Sequence, residues 1–132
     1  MATIFTRIIE GEIPCHKVAE DDRHIAFLDI NPIAEGHTLV VPKEEVDYFF
    51  DLPEERMHQT MSFARVVASA IVRALEPLRT GIIVQGLEVP HAHLHLVPLY
   101  RVDQAMALGH NVEIGEERMK EIAESIRKDV NL

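Results

Sequence analysis

Residues 91–99 read HAHLHLVPL, with histidine at 91, 93 and 95 and apolar residues at 92, 94, 96 and 97. Strict alternation of this kind belongs to an extended chain, whose side chains point to opposite faces in turn. His91, His93 and His95 therefore share one face of a strand over 91–97, and Ala92, Leu94 and Leu96 share the other. The apolar face calls for a layer of helices. The imidazole face is expected to meet water or a ligand, because three stacked imidazoles are costly to bury unsatisfied. Eight His among 132 residues make this spacing an uncommon accident, and an accident would not also preserve the alternation.

The surroundings supply the layers. Residues 81–85 (GIIVQ) read as an adjacent strand. Before them, helix periodicity runs from a capping box of Asp51 and Glu54 to about Leu75, with Pro77 as the stop. Met57, Met61, Ala64, Ala68, Ile71 and Leu75 form its apolar stripe, the two Met being core filler. Residues 37–41 (HTLVV) read as a buried strand ended by Pro42, and 16–20 and 24–28 as short strands around the Asp21-Asp22 turn. At the start, Thr3 can cap a short helix carrying Ile4, Phe5, Ile8 and Ile9, with Gly11 as its stop. After the histidines comes a polar stretch with Gly109 and Gly115. A terminal helix over 116–128 follows, with Met119, Ile122, Ala123 and Ile126 on one side. The sum predicts an α+β fold: a mainly antiparallel sheet, one long central helix and a C-terminal helix. Residues 1–132 form one domain, with a core over 1–100 and a loop and helix over 101–132.

Charge narrows the partners. Thirteen Lys and Arg against 22 Asp and Glu give a net charge of −9, which makes the chain a poor candidate for long nucleic acid, a partner that needs clustered Lys and Arg. A small anionic substrate would need positive charge at its site, which the His are placed to supply. Cys15 is the only cysteine, so no intramolecular disulfide is available and the thiol reads as reduced. No apolar run reaches a bilayer's thickness, and residues 1–14 (MATIFTRIIEGEIP) lack a signal-peptide core. A cytoplasmic protein without membrane contact is expected.

The histidine face admits three readings from the residues alone. His93 can be a nucleophile toward phosphorus, flanked by imidazoles that orient it or carry protons. Two of the three can bind a metal with another ligand, although His91 and His95 lie about 13 Å apart along a strand, too far to share one ion easily. The face can also be solvated histidine without chemistry.

The order His, apolar, His, apolar, His, apolar, apolar over 91–97 resembles the defining motif of the histidine triad (HIT) family. Residues 3–14 (TIFTRIIEGEIP) and 20–43 (EDDRHIAFLDINPIAEGHTLVVPK) also resemble that family's N-terminal half, so the likeness covers about residues 3–98. The terminal helix is similar to the tail of many bacterial members rather than to the short tail of the Hint branch.

The resemblance implies a homodimer through joined sheets, a purine nucleotide as substrate, and no cofactor. It places the base against Ile4, Phe5, Ile8 and Phe27, and the ribose hydroxyls on Asp29, a carboxylate able to accept from both. It makes His93 the nucleophile on the α-phosphorus, giving a nucleotidyl-histidine that water hydrolyses. His37, His91 and His95 would surround the phosphate and relay protons. From the residues alone, the four apolar side chains can equally be core, Asp29 can start the Asn31-Pro32 turn, and His37 can be a solvated strand end.

One segment departs from the family. Residues 83–91 read IVQGLEVPH: Gln85 falls near an Asn that meets the nucleotide, the loop is shorter, and Leu87-Glu88 replace a polar pair near the leaving group. Glu88 would favour a cationic amine there and repel a second phosphate. The expected activity is hydrolysis or transfer at a purine nucleoside 5'-phosphoryl bond, phosphoramidate-type. A diadenosine polyphosphate hydrolase and a nucleotide-binding protein with weak catalysis are the alternatives.

Overall fold

A computed structural model describes residues 2–132. Five strands make one antiparallel sheet: β1 (Lys17–Glu20), β2 (His24–Leu28), β3 (Thr38–Pro42), β4 (Arg79–Ile83) and β5 (Leu94–Leu99), in the order β1-β2-β3-β5-β4. Three helices accompany it: α1 (Ile4–Ile9), α2 (Glu54–Leu75) and α3 (Glu116–Asp129). The α+β expectation holds.

Alternation decides what each face carries. Ala26 and Leu28 of β2, Val40 of β3, and Ala92, Leu94 and Leu96 pack with α2 and α3 in the main core. The intervening residues Ile25, Phe27, Leu39 and Val41 turn to the opposite face and pack on Phe5 of α1. Both faces are thus covered, which is why β2 and β3 are buried at every position and read as continuous apolar runs.

α3 buries Met119, Ile122, Ala123 and Ile126, as its periodicity predicts. α2 differs in two respects. Its buried line is Thr60, Phe63, Ala64, Val67, Ala70 and Ile71, so the stripe lies partly to one side of the one read from the Met positions. Met61 is 41% exposed and sits beside edge strand β4. No capping box forms either: Pro53 is the N-cap, without a side-chain bond. Asp51 instead closes a 3-10 turn, its N–H donating to Tyr48 O, which puts its carboxylate too early in the chain to reach the helix.

The strand expected over 91–97 begins only at Leu94. His91 and Ala92 belong to the approach segment, where Ala92 N–H donates to Val46 O at 2.6 Å. The strand expected over 81–85 runs over Arg79–Ile83, leaving Gln85 in the following loop. Gly36 turns the chain into β3. Its φ is +89°, and a Cβ there would meet Leu75 Cδ1 at 2.5 Å, so both conformation and space require glycine immediately before His37.

Candidate active site

The face of the sheet opposite α2 and α3 holds a cavity of about 340 Å³. Ile4, Phe5 and Ile8 line it from α1, and Phe27 and Asp29 from β2 and its end. Gln85 and Glu88 come from the loop before the triad, and His93 and His95 form the floor. All nine therefore face one space, which is large enough for a small ligand. Cys15 and Leu108 also line it. Leu108 comes from the polar stretch after β5, where no sequence signal marked it. Burial pushes the Cys15 thiol upward, away from the thiolate that a nucleophile needs.

His37 and His91 are absent from that wall. Their positions correct the expectation that the imidazole face meets water: His37 is 1% exposed and His91 0%, and each is satisfied by protein. The covering comes from α1, 88 residues from His91 in sequence, and from the turn before β3.

Backbone groups fix the tautomers. His93 Nδ1 lies 2.6 Å from His91 O; a carbonyl only accepts, so Nδ1 carries the proton and Nε2 keeps its lone pair. The edge of Phe5 meets the His93 ring at 4.9 Å between centroids. His37 Nδ1 accepts from Ile33 N–H at 3.0 Å, so the proton of neutral His37 sits on Nε2. That atom is 2.9 Å from His95 Nδ1, which must accept, leaving the His95 proton on Nε2. The result is one imidazole with a bare nitrogen beside one with a donor, their rings 5.1 Å apart.

Asp29 stands behind this pair. Its Oδ1 accepts from Asn31 N–H at 2.8 Å, the turn that the sequence left open. Its Oδ2 lies 3.5 Å from His37 Nε2 and 4.0 Å from His95 Nδ1. These three residues bring donor atoms within 4.8 Å of one another, close enough to invite a metal. The Ile33 N–H opposes one: with Nδ1 engaged as an acceptor, His37 can ligate through Nε2 only by surrendering its last proton.

Three of the histidines are held toward the neutral form. Burial lowers His37, His93 and His95, with His95 pushed down to about 3, where neighbouring His37 and His93 add to the effect. Among the described residues, no Lys or Arg lines the cavity. The expectation that His would supply positive charge is therefore corrected: a phosphate here would meet N–H dipoles, and Asp29 and Glu88 are the carboxylates among the described residues of the wall. The depressed values carry a stability consequence. The unfolded chain takes up protons below about pH 6.5 that the fold refuses. Stability is thus complete above that value and declines as pH falls through it, with the His95 share still being lost toward its own value of about 3. Unfolding free energies from urea melts should fall between pH 7.5 and pH 5, with a slope below about pH 6.5 of up to about 1.4 kcal/mol per pH unit for each refused proton. A flat profile would show these imidazoles to be solvated.

The HIT domain family matches residues 10–102. The chain belongs to the HIT family. An uncharacterized HIT-like protein of Borreliella burgdorferi is 32% identical, covering 96% of this chain and 97% of that one. The adenosine 5'-monophosphoramidase hnt1 of Schizosaccharomyces pombe is 31% identical over 98% of this chain and 99% of its own. The crystal structure of a Hit-like protein from Bartonella henselae superposes with a TM-score of 0.82 at 30% identity, over 97% and 96% of the two chains. Among the described residues, no helix is long and apolar enough to cross a membrane.

Proposed function

We propose that this HIT protein hydrolyses purine nucleoside 5'-phosphoramidates through a nucleotidyl-His93 intermediate. The observation that carries the reading is the unlike pair on the cavity floor: His93 with Nε2 bare, His95 with Nε2 protonated. Membership of the HIT family and the similarity to an adenosine 5'-monophosphoramidase support nucleotide hydrolysis. Ile4, Phe5, Ile8 and Phe27 would hold the base, Gln85 would sit at the nucleotide's edge, and Asp29 would take the ribose hydroxyls with its less engaged oxygen.

In this reading the His93 Nε2 pair forms a bond to the α-phosphorus as the P–N bond breaks. The His95 Nε2–H donates to a non-bridging oxygen as charge builds. The nitrogen leaves as an amine, carrying a proton taken from solvent. Water then gives its hydroxyl to phosphorus and its proton to solvent, restoring the lone pair. His37 holds His95 in the donating tautomer, and no cofactor enters.

A wall that bears Asp29 and Glu88, with no Lys or Arg among its described residues, favours a single phosphoryl group over a polyphosphate chain. Glu88 is exposed, so its share is about 1 kcal/mol, or several-fold in rate. Glu88→Gln should lower the ratio of kcat/KM for an amine-bearing phosphoramidate over a dinucleoside polyphosphate, and salt should do the same to the wild type. A ratio unmoved by both would remove Glu88 from the leaving-group side. A wild-type preference for the polyphosphate would overturn the substrate assignment.

We also propose a homodimer through edge strand β4. Its exposed Ile82 and the exposed Met61 of α2 flank a groove with Ala64, Ala68 and Leu96, whereas the other edge, β1, is interrupted by a register shift, a feature that discourages pairing. Sedimentation as a monomer at micromolar concentration would contradict it.

A further inference from the structure

The first histidine of the triad has no nitrogen left for a substrate. His91 is fully buried, and its Nε2 lies 2.7 Å from Pro42 O, so that nitrogen carries the proton of the neutral ring. Nδ1 must then accept, and the group in reach is the Thr3 hydroxyl at 3.2 Å.

Thr3 is otherwise the cap of α1. Its Oγ1 accepts from Thr6 N–H at 3.1 Å, and Thr6 Oγ1 accepts from Thr3 N–H at 3.3 Å. The Thr6 hydroxyl donates to Glu45 Oε1 at 2.6 Å, in the segment that follows β3. The contact of 3.2 Å between the two threonine hydroxyls therefore does not need the Thr3 proton, which is free to point at His91. Helix α1 is tied at one end to the triad and at its first turn to the chain beyond Pro42. It is six residues long, too short to hold its own position by helix propensity.

We propose that Thr3 is a positioning residue for the reaction at His93. The Thr3 hydroxyl orients the His91 ring, and the His91 carbonyl in turn holds Nδ1–H of His93, so the helix that walls the base pocket and the nucleophile move as one unit. Phe5 closes the loop, packing edge-on against both His91 and His93. The role assigned to Thr3 rests on the nucleotidyl-transfer reading; the hydrogen bond to His91 does not.

Two variants and one spectrum test it. Thr3→Ser keeps the hydroxyl and should stay within about twofold of wild type in kcat and KM. Thr3→Val keeps the shape and deletes the bond; kcat should fall and the nucleotide KM should rise, together about tenfold or more in kcat/KM. Nitrogen-15 spectra of the wild type should show His91 protonated at Nε2 with a hydrogen-bonded Nδ1, and that Nδ1 signal should move to the unbonded position in Thr3→Val. Loss of melting temperature in Thr3→Val with unchanged kcat and KM of the folded protein would reduce Thr3 to a helix cap and overturn the proposal. An unbonded His91 Nδ1 in the wild type would overturn it without any variant. A wild type inactive on every nucleotide but with the expected spectrum would instead sink the nucleotidyl-transfer reading.

Discussion

His93→Ala should remove turnover, lowering kcat by about four orders of magnitude or more, while nucleotide binding stays within about tenfold of wild type. The split follows from where the groups lie. The proposed base wall is built by α1 and β2 and the proposed ribose contact is Asp29; only Phe5 among them packs on the His93 ring, and Phe27 and the Thr3 cap hold it as well. The proposed covalent step depends on one lone pair, the Nε2 pair left bare because His91 O holds the Nδ1 proton. Burial lowers the His93 pKa, so the ring is neutral and nucleophilic throughout the neutral range. His95 cannot substitute, since its pocket-side nitrogen carries a proton. Activity of His93→Ala within about tenfold of wild type, with binding intact, would take the nucleophile role from His93.

His37→Leu is expected to act nearly as strongly from behind the cavity wall. It would strand three groups together: Ile33 N–H, His95 Nδ1 and Asp29 Oδ2. Two of them belong to buried residues, and leaving buried polar groups unpaired costs about 1–3 kcal/mol each, so a loss of about 2–6 kcal/mol in stability should appear in urea melts. Catalysis should suffer separately. Without a donor at Nδ1, nothing fixes the His95 proton on Nε2, and the tautomer proposed to donate to the phosphoryl oxygen is lost for a large fraction of molecules. A fall of about a hundredfold in kcat is expected, in the range of a misplaced proton donor, with KM changed much less. Full stability and full activity in this variant would mean that the hydrogen bonds linking Ile33, His37 and His95 do not set the chemistry.

The sequence made some of this legible and not the rest. The terminal helix was readable because its four apolar residues fall on one narrow face with charge on every other side. The histidine alternation was readable because a period of two survives even where, at His91 and Ala92, the chain is extended without being paired. The stripe of α2 was mis-centred because that helix carries more apolar positions than one face can bury. Periodicity alone did not separate Phe63 and Val67, which meet the sheet, from Met61, which borders β4. The expectation of a wet histidine face failed for a different reason. What covers His91 is α1, whose Thr3 was recognised as a cap but whose second partner lies 88 residues away, a pairing that no local pattern encodes. The Ile33 N–H that fixes His37 is near in sequence, yet it depends on the turn through Gly36. The apolar side chains of the cavity came from the family resemblance, since Ile4, Phe5, Ile8 and Phe27 have the composition of ordinary core, and Phe27 is indeed packed as part of one.

Acid-stable mass spectrometry is unsuited to a phosphorus–nitrogen bond on imidazole, so the central claim is best tested by quenching at alkaline pH. The enzyme would be mixed with a purine nucleoside 5'-phosphoramidate for less than one turnover, digested, and sequenced by fragmentation. The account predicts one nucleoside monophosphate adduct, on the peptide that contains HAHLHLV, with the added mass on His93 and absent from His93→Ala. Turnover without any adduct when hydrolysis of the intermediate is slowed, or an adduct on His91 or His95 instead, would contradict it.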